Sequence, residues 1–181
     1  MSRLPAIDPA RAEGDAKALL DAVHTAFKAT PNLFRVAANS AAALNAMVQM
    51  NGALAKGVLR PKVREAIALT VAEANRCDYC LSAHTALGAA AGLSQAEIVA
   101  AREGNAADLK LAAMLTFVQT VVRSRANVGA NDVAVLKEAG VTDAEIAEIM
   151  ANIAFNVFTN YLNLVADTEI DFPVVRATAP V

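Results

Sequence analysis

The chain has no tryptophan, only two cysteines and two histidines, and aromatic residues fill just 4% of its 181 positions. It has no basic run and no aromatic residues interleaved with basic ones, and its formal net charge is -2. That composition lacks the electrostatic footprint and stacking platforms by which nucleic acid is held, so nucleic acid is excluded as an expected partner. No stretch approaches the roughly 20 uninterrupted apolar residues of a membrane span. The most apolar segment, Ile153 to Val165, is broken by Asn156, Asn160 and Asn163. The opening residues, Met1 to Asp15, are polar and contain proline, without the apolar core of a secretory leader. The expected compartment is therefore the cytoplasm, where a persistent structural disulfide is uncommon. A thiol pair there reads as a cycling couple or a metal site rather than a staple.

What the chain does have is apolar residues at 56%, many of them alanine, at helical spacing. Alanine favours helix and lets helices approach closely. Ala12 to Ala29 carries Leu19, Leu20, Val23 and Phe27 on one face and stops at Thr30-Pro31. A short turn holds Leu33, Phe34 and Val36. Ser40 is placed to cap a helix running to about Lys56, with Gly57 beyond it. Pro61 suits the first position of the next helix, which ends near Asn75-Arg76, and another element runs from about Cys77 to Gly92. Ser94 with Glu97, and Thr142 with Glu145, each form a capping box after a glycine stop. These paired signals are two helix starts built alike. Between them the pattern predicts helices over Ala106 to about Arg125 and Asn131 to Ala139. A last helix covers Asp143 to about Ala166, followed by an extended tail after Asp171-Phe172-Pro173. No pair of strands is visible, so the expected fold is all-α, one domain over residues 1–181.

Chemistry concentrates in Cys77-Asp78-Tyr79-Cys80-Leu81-Ser82-Ala83-His84. A free thiol, with pKa near 8.5, is mostly protonated at neutral pH, so a reactive cysteine needs help to ionise. Cys77 falls in a first helical turn, where unpaired amides favour negative charge. Cys80 and His84 are four apart and neighbours on one helical face, and the imidazole can accept the thiol proton. Cys77 and Cys80 share that face, so one thiol can resolve an oxidised form of the other. Two carboxylates lie upstream. If residues 62–75 and 77–91 form a helical hairpin, Glu65 and His84 lie roughly 15 and 10 Å from the bend at about 1.5 Å per residue, similar enough to meet. Glu73 lies nearer the bend, level with Cys77. These arguments leave open which cysteine is the nucleophile: the helix start favours Cys77 and the histidine favours Cys80. Zinc on Cys77, Cys80, His84 and Glu65 is the alternative, without a second ligand pair at the usual spacing. Covalent haem attachment needs histidine directly after the second cysteine, where Leu81 stands.

Glu65, the eleven-residue gap and CxxCxxxH together resemble the AhpD-like alkylhydroperoxidase branch of the carboxymuconolactone decarboxylase superfamily. The likeness runs from Pro31-Asn32-Leu33-Phe34 through Arg64-Glu65-Ala66 to Phe158-Thr159-Asn160-Tyr161, covering roughly residues 30–173. It implies an AhpD-like multi-helical bundle and a thiol peroxidase in which Cys80 is the nucleophile and Cys77 the resolving thiol. His84 and Glu65 would form the proton relay, with Tyr79 joining it. It implies no metal, haem or flavin, a hydroperoxide substrate, and an external dithiol of lipoyl or thioredoxin type as reductant. It also implies a homo-oligomer, commonly a trimer or hexamer. True decarboxylases of the superfamily typically lack the cysteine pair. A general protein disulfide oxidoreductase and a redox-sensing oligomer are the competing readings. His24, alone on an amphipathic helix, reads as structural. Asn152, Asn156, Asn160 and Asn163 line one face of the last helix, either bonding neighbouring helices or bordering the site over Cys80.

Overall fold

The computed structural model describes residues 2–178. Among them the chain forms helices and no strand: α1 (Gly14–Phe27), α2 (Asn32–Ala37), α3 (Ala41–Leu54), α4 (Pro61–Ala74), α5 (Asp78–Ala90), α6 (Gln95–Arg102), α7 (Leu109–Ser124), α8 (Ala130–Glu138) and α9 (Asp143–Ala166). The all-α expectation holds.

Helix α4 is the hub, because it is apolar around its whole circumference from Ala66 to Ala72 and every residue of that run is buried. It packs against α5, α6, α7 and α9. Thr70, the polar member of the run, is satisfied despite its burial, its one hydroxyl proton lying between Ala101 O (2.6 Å) and Ala66 O of its own helix (3.0 Å). The larger core cluster gathers Ile67, Leu69, Leu81, Leu115 and Ile149 around α4. A smaller cluster joins α1, α2 and α3 through Leu20, Phe34, Leu44 and Met47. Phe155 and Leu162 of α9 pack against this second cluster and tie it to the first. Each fully buried leucine contributes roughly 1.5–3 kcal/mol.

Local signals locate most helix ends. Ser40 accepts from Ala43 N (3.3 Å), and both capping boxes form, with Glu97 and Glu145 each accepting the backbone N–H of its own cap residue at 2.8 Å. Two differences have a physical cause. The turn expected at Leu33 to Val36 is a short helix, α2, whose first N–H (Asn32) donates to Asp171 Oδ2 at 2.8 Å, a cap supplied from 139 residues away. Helix α7 starts at Leu109 rather than Ala106 because Asp108 accepts from Leu111 N at 2.8 Å and becomes the cap.

Helix α9, at 24 residues, is long and apolar enough to cross a membrane by length and composition alone. However, Asn152, Asn156, Asn160 and Asn163 are all buried against the bundle, so one face of it is a core face. Its opposite face leaves Phe158, Tyr161, Leu164 and Val165 exposed.

Beyond α9 the described residues, to Thr178, run without helix or strand back across the start of α5. Asp78 accepts from Ala177 N (2.8 Å) and from Arg176 Nη1 (2.7 Å), and Ser82 Oγ accepts from Val175 N (2.9 Å). Glu73 accepts from Thr178 N (2.7 Å) and Arg102 Nε (2.7 Å). Burial pushes both carboxyls up, yet these donors outweigh it and hold Glu73 and Asp78 below their ordinary values of 4.5 and 3.8. Groups depressed in this way stabilise the fold above those ordinary values, and the contribution is lost as pH falls through the lower folded values. Hydrogen-exchange protection at Ala177 and Thr178 is therefore expected to hold from neutral pH through the ordinary carboxylate range and to be lost only as pH falls below it. Protection that survives at the acid end would show that something else holds the tail.

Candidate active site

The site is built on the reversal between α4 and α5. Arg76 takes the left-handed conformation (φ 57) just past the end of α4. Arg76 N donates to Glu73 O (3.0 Å) and Cys77 N to Ala72 O (2.9 Å), which closes the helix in a Schellman motif. Cys77 is thus the residue that caps α5, and its Sγ accepts from Cys80 N at 3.2 Å. It stands one position before the first turn in which the sequence places it, so its sulfur meets the helix amides head-on.

Cys77 and Cys80 are joined as a disulfide with a Cα–Cα distance of 5.2 Å, inside the usual range for such bridges. Both residues are buried, at 1% and 3% exposure. One turn further along α5, His84 Nδ1 meets Glu65 Oε2 of α4 at 2.8 Å, and each side chain is about one-fifth exposed, at 19% and 20%. The hairpin arithmetic therefore picks out the carboxylate that His84 meets. Gly88 packs tightly against Leu93: a Cβ there would stand 3.0 Å from Leu93 Cδ1, while Glu65 Cβ and Leu69 Cδ1 of α4 would lie at ordinary contact distance, 3.8 Å. With Nδ1–H donated to the carboxylate, the neutral imidazole keeps its lone pair on Nε2, the tautomer a general base requires. Glu73 is engaged by Arg102 and the tail instead.

The asparagine stripe of α9 divides along its length. Asn152 and Asn156 donate to carbonyls of their own helix, Glu148 O and Asn152 O, each at 2.8 Å. Asn160 Oδ1 accepts from Asn75 Nδ2 at the end of α4 (3.0 Å). Asn163 reaches the sulfur: its Nδ2 donates to Cys80 Sγ at 3.4 Å in a fully buried contact. Both roles weighed for the stripe are therefore present. The regular spacing pointed to the face, but nothing in it distinguishes Asn163 from its three companions.

Tyr79 lies in the wall of the site, with its hydroxyl turned elsewhere. That oxygen accepts from Leu33 N at 3.0 Å, and the ring stands edge-on to Phe172 with centroids 5.8 Å apart. Burial first, and the nearby Asp171 charge second, push the phenol above its ordinary value of 10.0, so it stays protonated. It ties α2 to α5 and is not bonded to Glu65 or His84. His24 is exposed, its Nδ1 at 3.3 Å from Thr30 Oγ1, as a structural role requires. Among the described residues, no group of three or more His, Cys, Asp or Glu side chains converges as a metal site.

Two cavities flank the motif. One, of about 320 Å³, has Glu65, His84 and Tyr79 in its lining, walled by Phe34, Phe155 and Phe172. The other, of about 150 Å³, is bordered by Cys77, Asp78, Asn163 and Arg176. A roomier cleft of about 420 Å³ between α1 and α3 lies away from both thiols and has no His or Cys in its lining. The aromatic wall beside His84 comes from α1, α2, α9 and the tail, a convergence that no sequence spacing announces.

Residues 41–123, which include Glu65, Cys77, Cys80 and His84, match the model of the carboxymuconolactone decarboxylase family. A crystal structure from Ralstonia eutropha, described as an alkylhydroperoxidase AhpD core and an uncharacterized peroxidase-related protein, superposes with a TM-score of 0.84 at 25% identity, covering 94% of this chain and 92% of that one. An uncharacterized peroxidase-related protein from a Silicibacter species gives 0.80 at 23% identity, covering 93% and 91%. The debrominase Bmp8, solved with 2,3,4-tribromopyrrole, gives 0.77 at 20% identity, covering 94% of each chain. No curated protein sequence matches the chain.

Two substitutions separate the side chains around the sulfurs. In a reduced Cys77→Ser background, Asn163→Ala is expected to slow alkylation of Cys80 at pH 7 by roughly tenfold, the scale of a hydrogen bond to a charged group. An unchanged rate in folded protein would mean the amide has no hold on the thiol. Tyr79→Phe removes only the Leu33 bond and is expected to lower stability by about 1 kcal/mol in a denaturant titration. Alkylation of Cys80 in that variant should stay within about threefold of the parent.

Proposed function

We propose that the chain, a member of the AhpD-like branch of the carboxymuconolactone decarboxylase superfamily, is a thiol-dependent peroxidase. The observation that carries this reading is the buried Cys77–Cys80 bridge with Asn163 Nδ2 on Cys80 Sγ and the His84–Glu65 pair one turn away.

In the reduced protein, His84 Nε2 draws the proton from Cys80, while Glu65 holds the ring and offsets the imidazolium charge. The Cys80 thiolate attacks the distal oxygen of a hydroperoxide and the O–O bond breaks. The alkoxide leaves as alcohol, taking the proton that His84 holds, and Cys80 becomes a sulfenic acid. Cys77 then attacks the Cys80 sulfur, the hydroxyl leaves as water with the Cys77 proton, and the disulfide forms. Overall, one hydroperoxide and one protein dithiol give one alcohol, one water and one disulfide. An external dithiol returns the bridge to thiols by two exchange steps. Cys80 is the nucleophile by the resemblance, and the Asn163 donor supports that choice by offering a second group that favours its thiolate. Tyr79 acts as a positioning residue through Leu33.

Burial of both sulfurs favours this reading over general exchange with protein disulfides, because a small peroxide reaches a buried sulfur more readily than a folded protein does. The same burial favours a reductant on an extended arm, of lipoyl type, over one on a globular surface. The fold is shared with a debrominase, so the fold alone does not select the reaction. The exposed apolar face of α9 supports self-association, as the family resemblance implies. A reducing cytoplasm suits a bridge that must reopen on each turnover.

Stopped-flow mixing of the reduced protein with cumene hydroperoxide and with hydrogen peroxide tests the proposal. Peroxide should be consumed one for one with thiol pairs. Cys80→Ser should abolish consumption, and His84→Ala or Glu65→Gln should slow it by roughly 10²- to 10⁴-fold, the usual contribution of a proton relay. Rapid reduction of insulin disulfides with no loss of peroxide would assign the chain to the competing oxidoreductase class.

A further inference from the structure

The cavity beside His84 has one side chain of fixed positive charge in its lining, and the peroxidase chemistry does not use it. Arg64 stands next to Glu65 on α4, and its Nε is buried without a hydrogen-bond partner. The neighbouring carboxylate of Glu65 is held by His84 instead, 2.8 Å away. No ion pair to Arg64 forms among the described residues, in contrast to Arg102 and Arg176, which pair with Glu73 and Asp78. A guanidinium stays charged at any physiological pH, and leaving one of its donors buried and unmatched is unfavourable. Such a group on the wall of a largely apolar cavity is completed by an anion that brings two acceptor oxygens.

The rest of the lining defines what else that anion carries. Phe27, Phe34, Leu87, Phe155 and Phe172 make the walls predominantly apolar. Its volume of about 320 Å³ lies at the small end of the roughly 300–1,000 Å³ typical of small-molecule sites. That excludes a whole phospholipid or a folded partner and fits a compact amphiphile. We propose that the cavity binds a carboxylate with a short apolar body, with Arg64 as its anchor. Resting on the peroxidase reading, the preferred oxidant is then a hydroperoxide that bears such a carboxylate. It is held by Arg64 at one end, with its peroxide group toward His84. The redox step is unchanged: hydroperoxy acid and dithiol give hydroxy acid, water and disulfide. Arg64 here is a specificity residue that binds substrate and moves no proton.

Calorimetric titration of the full chain in its disulfide form with octanoate and with octan-1-ol tests the anchor without any turnover. Wild type is expected to bind octanoate at least about tenfold more tightly than octan-1-ol, the scale of a charge-assisted hydrogen bond. Arg64→Gln should bring that ratio close to one, and Arg64→Lys should keep part of it, as charge without the planar fork. Equal affinities in wild type, no binding of either compound, or an undiminished ratio in Arg64→Gln would each overturn the proposal. If Arg64→Gln fails to fold, the wild-type ratio and Arg64→Lys decide. Octanoate bound through Arg64 by a protein that consumes no peroxide would sink the peroxidase reading while leaving the anchor in place.

Discussion

The bond between His84 Nδ1 and Glu65 Oε2 depends on how α4 turns into α5, and the rest of the site follows from that turn. A left-handed Arg76 ends one helix and delivers Cys77 as the cap of the next, so the chain reverses with no loop to spare. The rise per residue then sets His84 opposite Glu65. Because α4 is buried on all sides from Ala66 to Ala72, its Glu65 end is rigidly placed. The His84–Glu65 pair sits on two helices of the core.

Around this hairpin, the other elements act on the sulfurs in distinct ways. Helix α9 presents a polar face to the core, and its last asparagine, Asn163, touches Cys80 Sγ, while Asn160 bonds Asn75 at the end of α4. The tail after α9 is drawn back over α5 by Glu73, Asp78 and Ser82. Tyr79 and Phe172 wall the cavity, with the phenol fixed on Leu33. The result is a buried couple with apolar surroundings on the His84 side and charged ones on the Cys77 side.

Much of this was legible before any coordinates. Helix ends marked by Ser40, Pro61, Ser94 and Thr142 are local events, decided within a few residues, and each lies where its signal puts it. The Glu65–His84 pairing was accessible because a tight hairpin reduces a tertiary question to counting residues. What could not be read depends on distant partners. Helix α2 is capped by Asp171, the Tyr79 hydroxyl is captured by Leu33, and the aromatic wall gathers side chains from four parts of the chain. The contact of Asn163 with Cys80 falls between these cases: spacing showed the face, but only packing picked the residue.

The central claim is that Cys80 is the sulfur that meets the oxidant and Cys77 the one that resolves it. The most direct test is sulfenic acid trapping with a dimedone probe, read by mass spectrometry after one equivalent of cumene hydroperoxide. The account predicts a trapped adduct on Cys80 in Cys77→Ser, and little on Cys77 in Cys80→Ser. A dominant adduct on Cys77, with Cys80 left unmodified, would contradict it.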